Sequence, residues 1–219
     1  EQKRRQRGPR GIAPPEPYDE TAWGTAGTSG VSAGRLPLYN LKNDISLTAW
    51  GSTNDVLESY AIAYAFGAYL GRNFGGAELF AQLGTSGFGF PSSAIADAIQ
   101  RAGGPGGMTL EQLLWRWGAA VLLSDDPAQS TPFRVNAGGW MDSTTNGHTY
   151  RLGSFNHYYY DYFETTRSPD PPYVHTGDIA VDEMAPGSKM LYRVGTGLTG
   201  TVELAIDFSE GMDFAVVVK

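Results

Sequence analysis

Cysteine is absent from the 219 residues. That excludes a disulfide framework, a zinc–thiolate centre and a cysteine nucleophile, while leaving the cellular compartment open. Histidine is scarce as well: His148, His157 and His175 are the three present. None of them belongs to an H-E-x-x-H pair, the spacing that sets two imidazoles on one helix face beside a glutamate base. A G-x-S-x-G nucleophile elbow and a Walker phosphate loop are also missing. The uncharged stretch Ser59–Gly71 holds 13 residues, short of the roughly 20 that cross a bilayer, so no transmembrane segment is expected. No apolar leader lies near Glu1, so no signal peptide is read there.

Positive charge is sparse outside one place. The chain carries a formal net charge of −7, yet residues 1–10 alone carry +4, leaving −11 for the rest. An acidic body argues against nucleic acid as the main partner. The basic arm reads as a solvated tail or a processing site rather than a binding element for RNA or membranes.

What is present suffices for a core: 41% hydrophobic and 12% aromatic residues, with 29 glycines and 13 prolines favouring many turns. Residues 1–35 join the basic arm to Pro-rich and Gly/Ser/Thr-rich runs and offer too little apolar surface to fold. The expected class is α+β, with a helical lobe of about four helices over 36–124. An irregular aromatic and short-strand segment follows at 125–172, then a small antiparallel β domain over 173–219. The prolines of Ser168–Tyr173 mark the internal boundary.

LPLYNLKNDISLTAWG (36–51) reads as a loop or short strand. The first helix is expected to start at Asp55, which forms a capping box with Glu58, and to run to about Asn73 before Gly75-Gly76. Further helices are expected from Ala77, over Ser92–Arg101, and from a Thr109 cap with Gln112 to about Ser124. In the last of these, Leu110, Leu113, Leu114, Trp117 and Val121 recur at helical spacing. Asn146-Gly147 is the strongest hairpin turn. Alternation in Thr201–Phe208, with MLYRV before it and FAVVVK after it, predicts a three-strand meander.

Several apparent motifs have plain structural readings. Gly195–Gly200 spells G-x-G-x-x-G but precedes an alternating run instead of a helix, so it reads as a loop. Asp142, Thr144, Asn146 and Gly147 imitate half a calcium loop, but Gly153 stands where a bidentate glutamate is needed. His157 and Asp161 would share a face only if that aromatic segment were helical. SYAIAYAFGAYLGRNFGG (59–76) is apolar on nearly every side and reads as a central core helix. Tyr60, Tyr64, Gly67 and Gly71 fall on one face of it.

NDISLTAWGSTNDVLESYAIAYAFGAYLGRNFGG resembles the region that follows the zinc site in the hyicolysin family of secreted bacterial metallopeptidases. YRVGTGLTG and the closing VVVK resemble the small β region near the end of the same proteins. The resemblance spans roughly 36–219. It implies a gluzincin-like zinc peptidase in which zinc-bound water attacks a peptide carbonyl with the H-E-x-x-H glutamate as base. It implies that Tyr60 occupies the place of a tyrosine that donates to the oxyanion. H-E-x-x-H and the N-E-G segment of the family are both absent here, and Glu58 and Glu78 are not offered as substitutes. The chain is therefore expected to be the C-terminal portion of such a peptidase, or a relative without its metal half, and not to be catalytic alone. The expected partners are the N-terminal zinc-binding part of the same protein and a peptide or protein substrate. No metal or cofactor is expected in this chain, zinc is expected in the parent, and the location is secreted or cell-envelope. The alternative is a non-enzymatic exported binding or assembly module, with Tyr158, Tyr159, Tyr160 and Tyr162 as its contact surface.

Overall fold

The computed structural model describes residues 35–50, 55–87, 89, 91–124, 126, 129–135, 141–152, 157, 172–176, 184–203, 205 and 214–218. Five helices run in order: α1 (Arg35–Leu41), α2 (Val56–Asn73), α3 (Ala77–Gly84), α4 (Pro91–Arg101) and α5 (Leu110–Leu122). Four short strands follow: β1 (Met141–Thr145), β2 (His148–Leu152), β3 (His175–Thr176) and β4 (Tyr192–Arg193). The class is α+β with a small β part.

Helix starts are set by local chemistry. Asp55 accepts a hydrogen bond from the Leu57 amide at 2.8 Å, and Glu58 accepts from the Asp55 amide at 3.2 Å, closing a capping box. Thr109 and Gln112 repeat the device at α5. α3 begins differently, because its N-cap is Gly76, which has no side chain to offer. Ser143 of β1 substitutes, its hydroxyl accepting from the Ala77 amide at 2.7 Å.

α1 was not expected. Its sequence RLPLYNL mixes a proline and an asparagine into seven residues. Pro37 lies in the first turn, where no intrahelical N–H is required. The helix is held by tertiary packing: it lies along α2, and Tyr39 is fully buried against Trp117 of α5, ring centroids 5.4 Å apart. Trp117 also meets Phe66 of α2 at 5.0 Å. Ile62, Tyr69, Leu79, Ile99 and Leu113 complete this core.

α3 and α4 pack together, with Arg101 reaching back to the Gln82 carbonyl at 2.9 Å. Asn73 fastens the end of α2. Its amide donates to the Tyr69 and Arg134 carbonyls at 2.7 and 2.6 Å, and its oxygen accepts from the Arg134 amide at 3.0 Å.

β1 and β2 form an antiparallel hairpin, register Thr145↔His148, around the expected turn. Asn146 and Gly147 both take positive φ, 50° and 75°, which matches the twist of the flanking strands. β3 and β4 pair in parallel, His175↔Tyr192. The three-strand meander is corrected here. Residues 201–203 and 214–218 are not in strands, 204 and 206–213 lie outside the described residues, and β4 takes its partner from β3 instead. The Gly195–Gly200 stretch is loop.

Gly76 tolerates change poorly. Its φ of 62° and ψ of −130° suit glycine alone, and a Cβ there would collide with the Ser143 side chain. Gly76→Ala is expected to destabilise the chain by about 2–4 kcal/mol, combining backbone strain with overpacking. The change should read out as a lower urea midpoint with an unaltered m-value.

Candidate functional site

Tyr60 sits in the second turn of α2, just beyond the capping box. Its ring is 46% exposed, on a helix that buries Ala61, Ile62, Ala65, Phe66, Tyr69 and Leu70. It meets Trp50 edge-on, centroids 5.3 Å apart at 81°, a geometry favoured by the ring quadrupoles. Trp50, Val56 and Leu57 are exposed as well. Val56 and Leu57 stand four and three residues before Tyr60, so they share its side of the helix. Lys42, after α1, reaches to 3.7 Å from Glu58 on the same end. The result is an apolar, aromatic patch at the N-terminal end of the central helix.

The patch continues along one face. Tyr64, a turn further on, is half-buried, and burial pushes its phenol well above its ordinary range against the opposing pull of Arg72. Beyond it a Cβ added to Gly67 would meet nothing within 4 Å, so space is open beside the helix. Gly71 does not share this character, because it is buried where the chain turns into α3. The face read from the sequence is thus exposed at Tyr60, half-buried at Tyr64 and Gly67, and closed at Gly71.

Glu58 and Glu78 are both engaged in structural hydrogen bonds. Glu58 closes the α2 capping box. Glu78 accepts from Thr145 and, at 2.5 Å, from Gln82, and these bonds hold its carboxyl below the usual range. Among the described residues no group of three His, Cys, Asp or Glu side chains is placed to hold a metal ion. No described helix is long and apolar enough to cross a membrane. Asp142 and Thr144 lie on β1 and not in an ion-binding loop, and Thr144 pairs with Thr149 across the hairpin at 2.9 Å. His148 is exposed on β2. Asp161 and the tyrosines 158–160 and 162 fall outside the described residues.

A second cluster went unread in the sequence. His157 is completely buried and bonded twice to Asn40. Its Nδ1–H donates to Asn40 Oδ1 at 3.0 Å, and its carbonyl accepts from Asn40 Nδ2 at 2.6 Å. Its amide donates to Ser124 Oγ at 3.0 Å. The ring meets Tyr39 at 5.3 Å, and Tyr39 stacks on Trp117. Lys189 closes the group, its Nζ 3.2 Å from the Trp117 ring centroid and 5.0 Å from that of Tyr39. His175 belongs to a neighbouring aromatic stack, between Tyr173 and Tyr192 at 4.6 and 4.8 Å. The signal for Lys189 was faint: a lone lysine before an apolar run, and a glycine, Gly118, following Trp117.

No protein-family profile, curated protein or solved structure matches this chain.

Burial, then Lys189 and Arg72, lower the His157 pKa from 6.5 to about 3. The fold therefore favours the neutral imidazole. That contribution is complete above pH 6.5 and is lost as pH falls from 6.5 towards 3, because the unfolded chain takes up the proton first. Urea unfolding at successive pH values should show a loss from this group of up to about 1.4 kcal/mol per pH unit in that window. His157→Gln should remove that part of the slope; an unchanged slope would contradict the assignment.

Proposed function

We propose that these residues are the C-terminal portion of an exported, hyicolysin-like zinc metallopeptidase. In this reading α2 forms one wall of the substrate cleft, and Tyr60 donates a hydrogen bond to the oxyanion that develops at the scissile carbonyl. The supporting observation is the bare aromatic end of the central helix, with Trp50 set edge-on against Tyr60 and Val56 and Leu57 exposed around them. A helix that is core along most of its length, yet leaves Val56, Leu57 and Tyr60 of its first two turns uncovered, suits a surface meant to be covered by more protein.

The metal ligands belong to the N-terminal part of the same protein, and the bound zinc there supplies Lewis-acid polarisation and an activated water. This chain contributes positioning. The capping box fixes the start of α2, Trp50 restrains the Tyr60 ring, and the open side between Tyr60 and Gly67 leaves room for an extended peptide. A phenol preset before the charge develops needs little reorganisation, which is why such donors stabilise transition states more than ground states. Alone, the chain does not hydrolyse peptides.

Zinc content and casein cleavage by the full-length protein test this reading; a zinc-free, inactive full-length protein rules it out. In the active protein, Tyr60→Phe is expected to lower kcat about 10²- to 10³-fold. KM and thermal unfolding should stay as in the parent, and an unchanged kcat removes the oxyanion role.

A further inference from the structure

The segment around Lys189 is fastened to the helical lobe by a small set of bonds. Ser46 Oγ and Thr48 Oγ1 donate to the Pro186 carbonyl at 2.5 and 2.9 Å. The Leu47 amide donates to the Gly187 carbonyl at 3.2 Å, and the His175 amide to the Leu191 carbonyl at 2.8 Å. Between these anchors the Lys189 side chain enters the lobe beside α5. A Cβ on Gly118 would lie 3.5 Å from Lys189 Cδ, an ordinary contact distance, so the stem runs close along α5. The stem is partly accessible, but Nζ is sealed against the Trp117 ring and has no hydrogen-bond partner among the described residues. The Tyr39 ring touches both this amine and the His157 imidazole. Two groups that become cations on protonation thus share one aromatic wall.

The surrounding charges offer little relief. Asp44, in the α1–α2 connection, is the carboxylate that acts on Lys189. It also lies 3.9 Å from His175 Nε2 on β3 and acts on Tyr192 of β4. Arg72 of α2 repels a proton on His157, as Lys189 does. Tyr39 of α1 is held neutral by burial, and Arg116 of α5 acts on Tyr69. Burial draws the Lys189 amine well below its ordinary pKa, with Asp44 opposing. The Trp117 and Tyr39 ring faces attract an ammonium, but a buried Nζ without a hydrogen-bond partner loses more in hydration than the rings return, so acid adds unfavourable positive charge on both sides of Tyr39.

We propose that residues 184–193 act as an acid-released clamp: Lys189, seated against Trp117, Tyr39 and His157, holds this segment on the helical lobe, and protonation inside that enclosure drives the segment off. Release breaks the Leu47 and His175 bonds, unpairs β3 from β4 and uncovers Trp117. The inference does not depend on the peptidase reading.

Residue-resolved hydrogen exchange of the 219-residue chain between pH 8 and 4, corrected for intrinsic rates, tests it. The Leu47 and His175 amides should lose at least tenfold protection on acidification, while the Phe74 and Leu113 amides in the helices keep theirs. Lys189→Met, which keeps the stem but cannot ionise, should retain the segment down to the pH at which the helices open. Asp44→Asn should release it at a higher pH than the parent. The clamp is overturned if the parent and Lys189→Met share one pH dependence, or if Lys189→Met is already released at pH 8. Opening of the segment together with the helices, or an unshifted release in Asp44→Asn, overturns it equally.

Discussion

Three separate parts of this fold lean on the Trp117 ring. α1 reaches it through Tyr39, α2 through Phe66 and the C-terminal segment through Lys189. An indole of this size, fully out of water, contributes roughly 4–6 kcal/mol of burial, comparable with the net stability of many domains. The ring gathers partners from remote parts of the chain. That makes it the point at which local helices become one structure.

The second constraint is the division of labour along α2. Its buried residues run from Ser59 through Asn73 and fix the helix among α1, α3 and α5. Its first two turns are held by the capping box and carry Val56, Leu57 and Tyr60 in the open. A side chain on a rigid, capped helix is placed more accurately than one on a loop, so the same packing that makes the core also sets Tyr60. Under the peptidase reading, the stability of the lobe and the aim of the phenol have one cause.

Much of this was legible. Asp55 with Glu58, Thr109 with Gln112, and Asn146-Gly147 are short-range chemistry, and each gave the expected cap or turn because no tertiary contact was needed to decide it. α1 was not legible, since a proline and an asparagine stand within its seven residues and the packing of Tyr39 holds them helical. Of the expected meander the described residues show none: 201–203 and 205 carry no strand, and β4 pairs with β3. Lys189 escaped notice because a buried, unpaired amine breaks the usual rule for lysine. Its seat is the ring of Trp117, a residue remote in sequence. For Tyr60 the helix and its face were readable. Its neighbour Trp50 was not, because contacts across a loop leave no period in the sequence.

The central claim is that the bare end of α2 faces a metal held by another part of the same protein. A crystal structure of the full-length protein with an oxyanion-mimicking inhibitor, with the metal placed by zinc-edge anomalous scattering, tests this most directly. The expected result is a zinc ion bound by residues outside these 219, with the Tyr60 hydroxyl in hydrogen-bond reach of the inhibitor oxygen at the metal. A full-length structure without zinc, or with Tyr60 turned away from the metal, would contradict it.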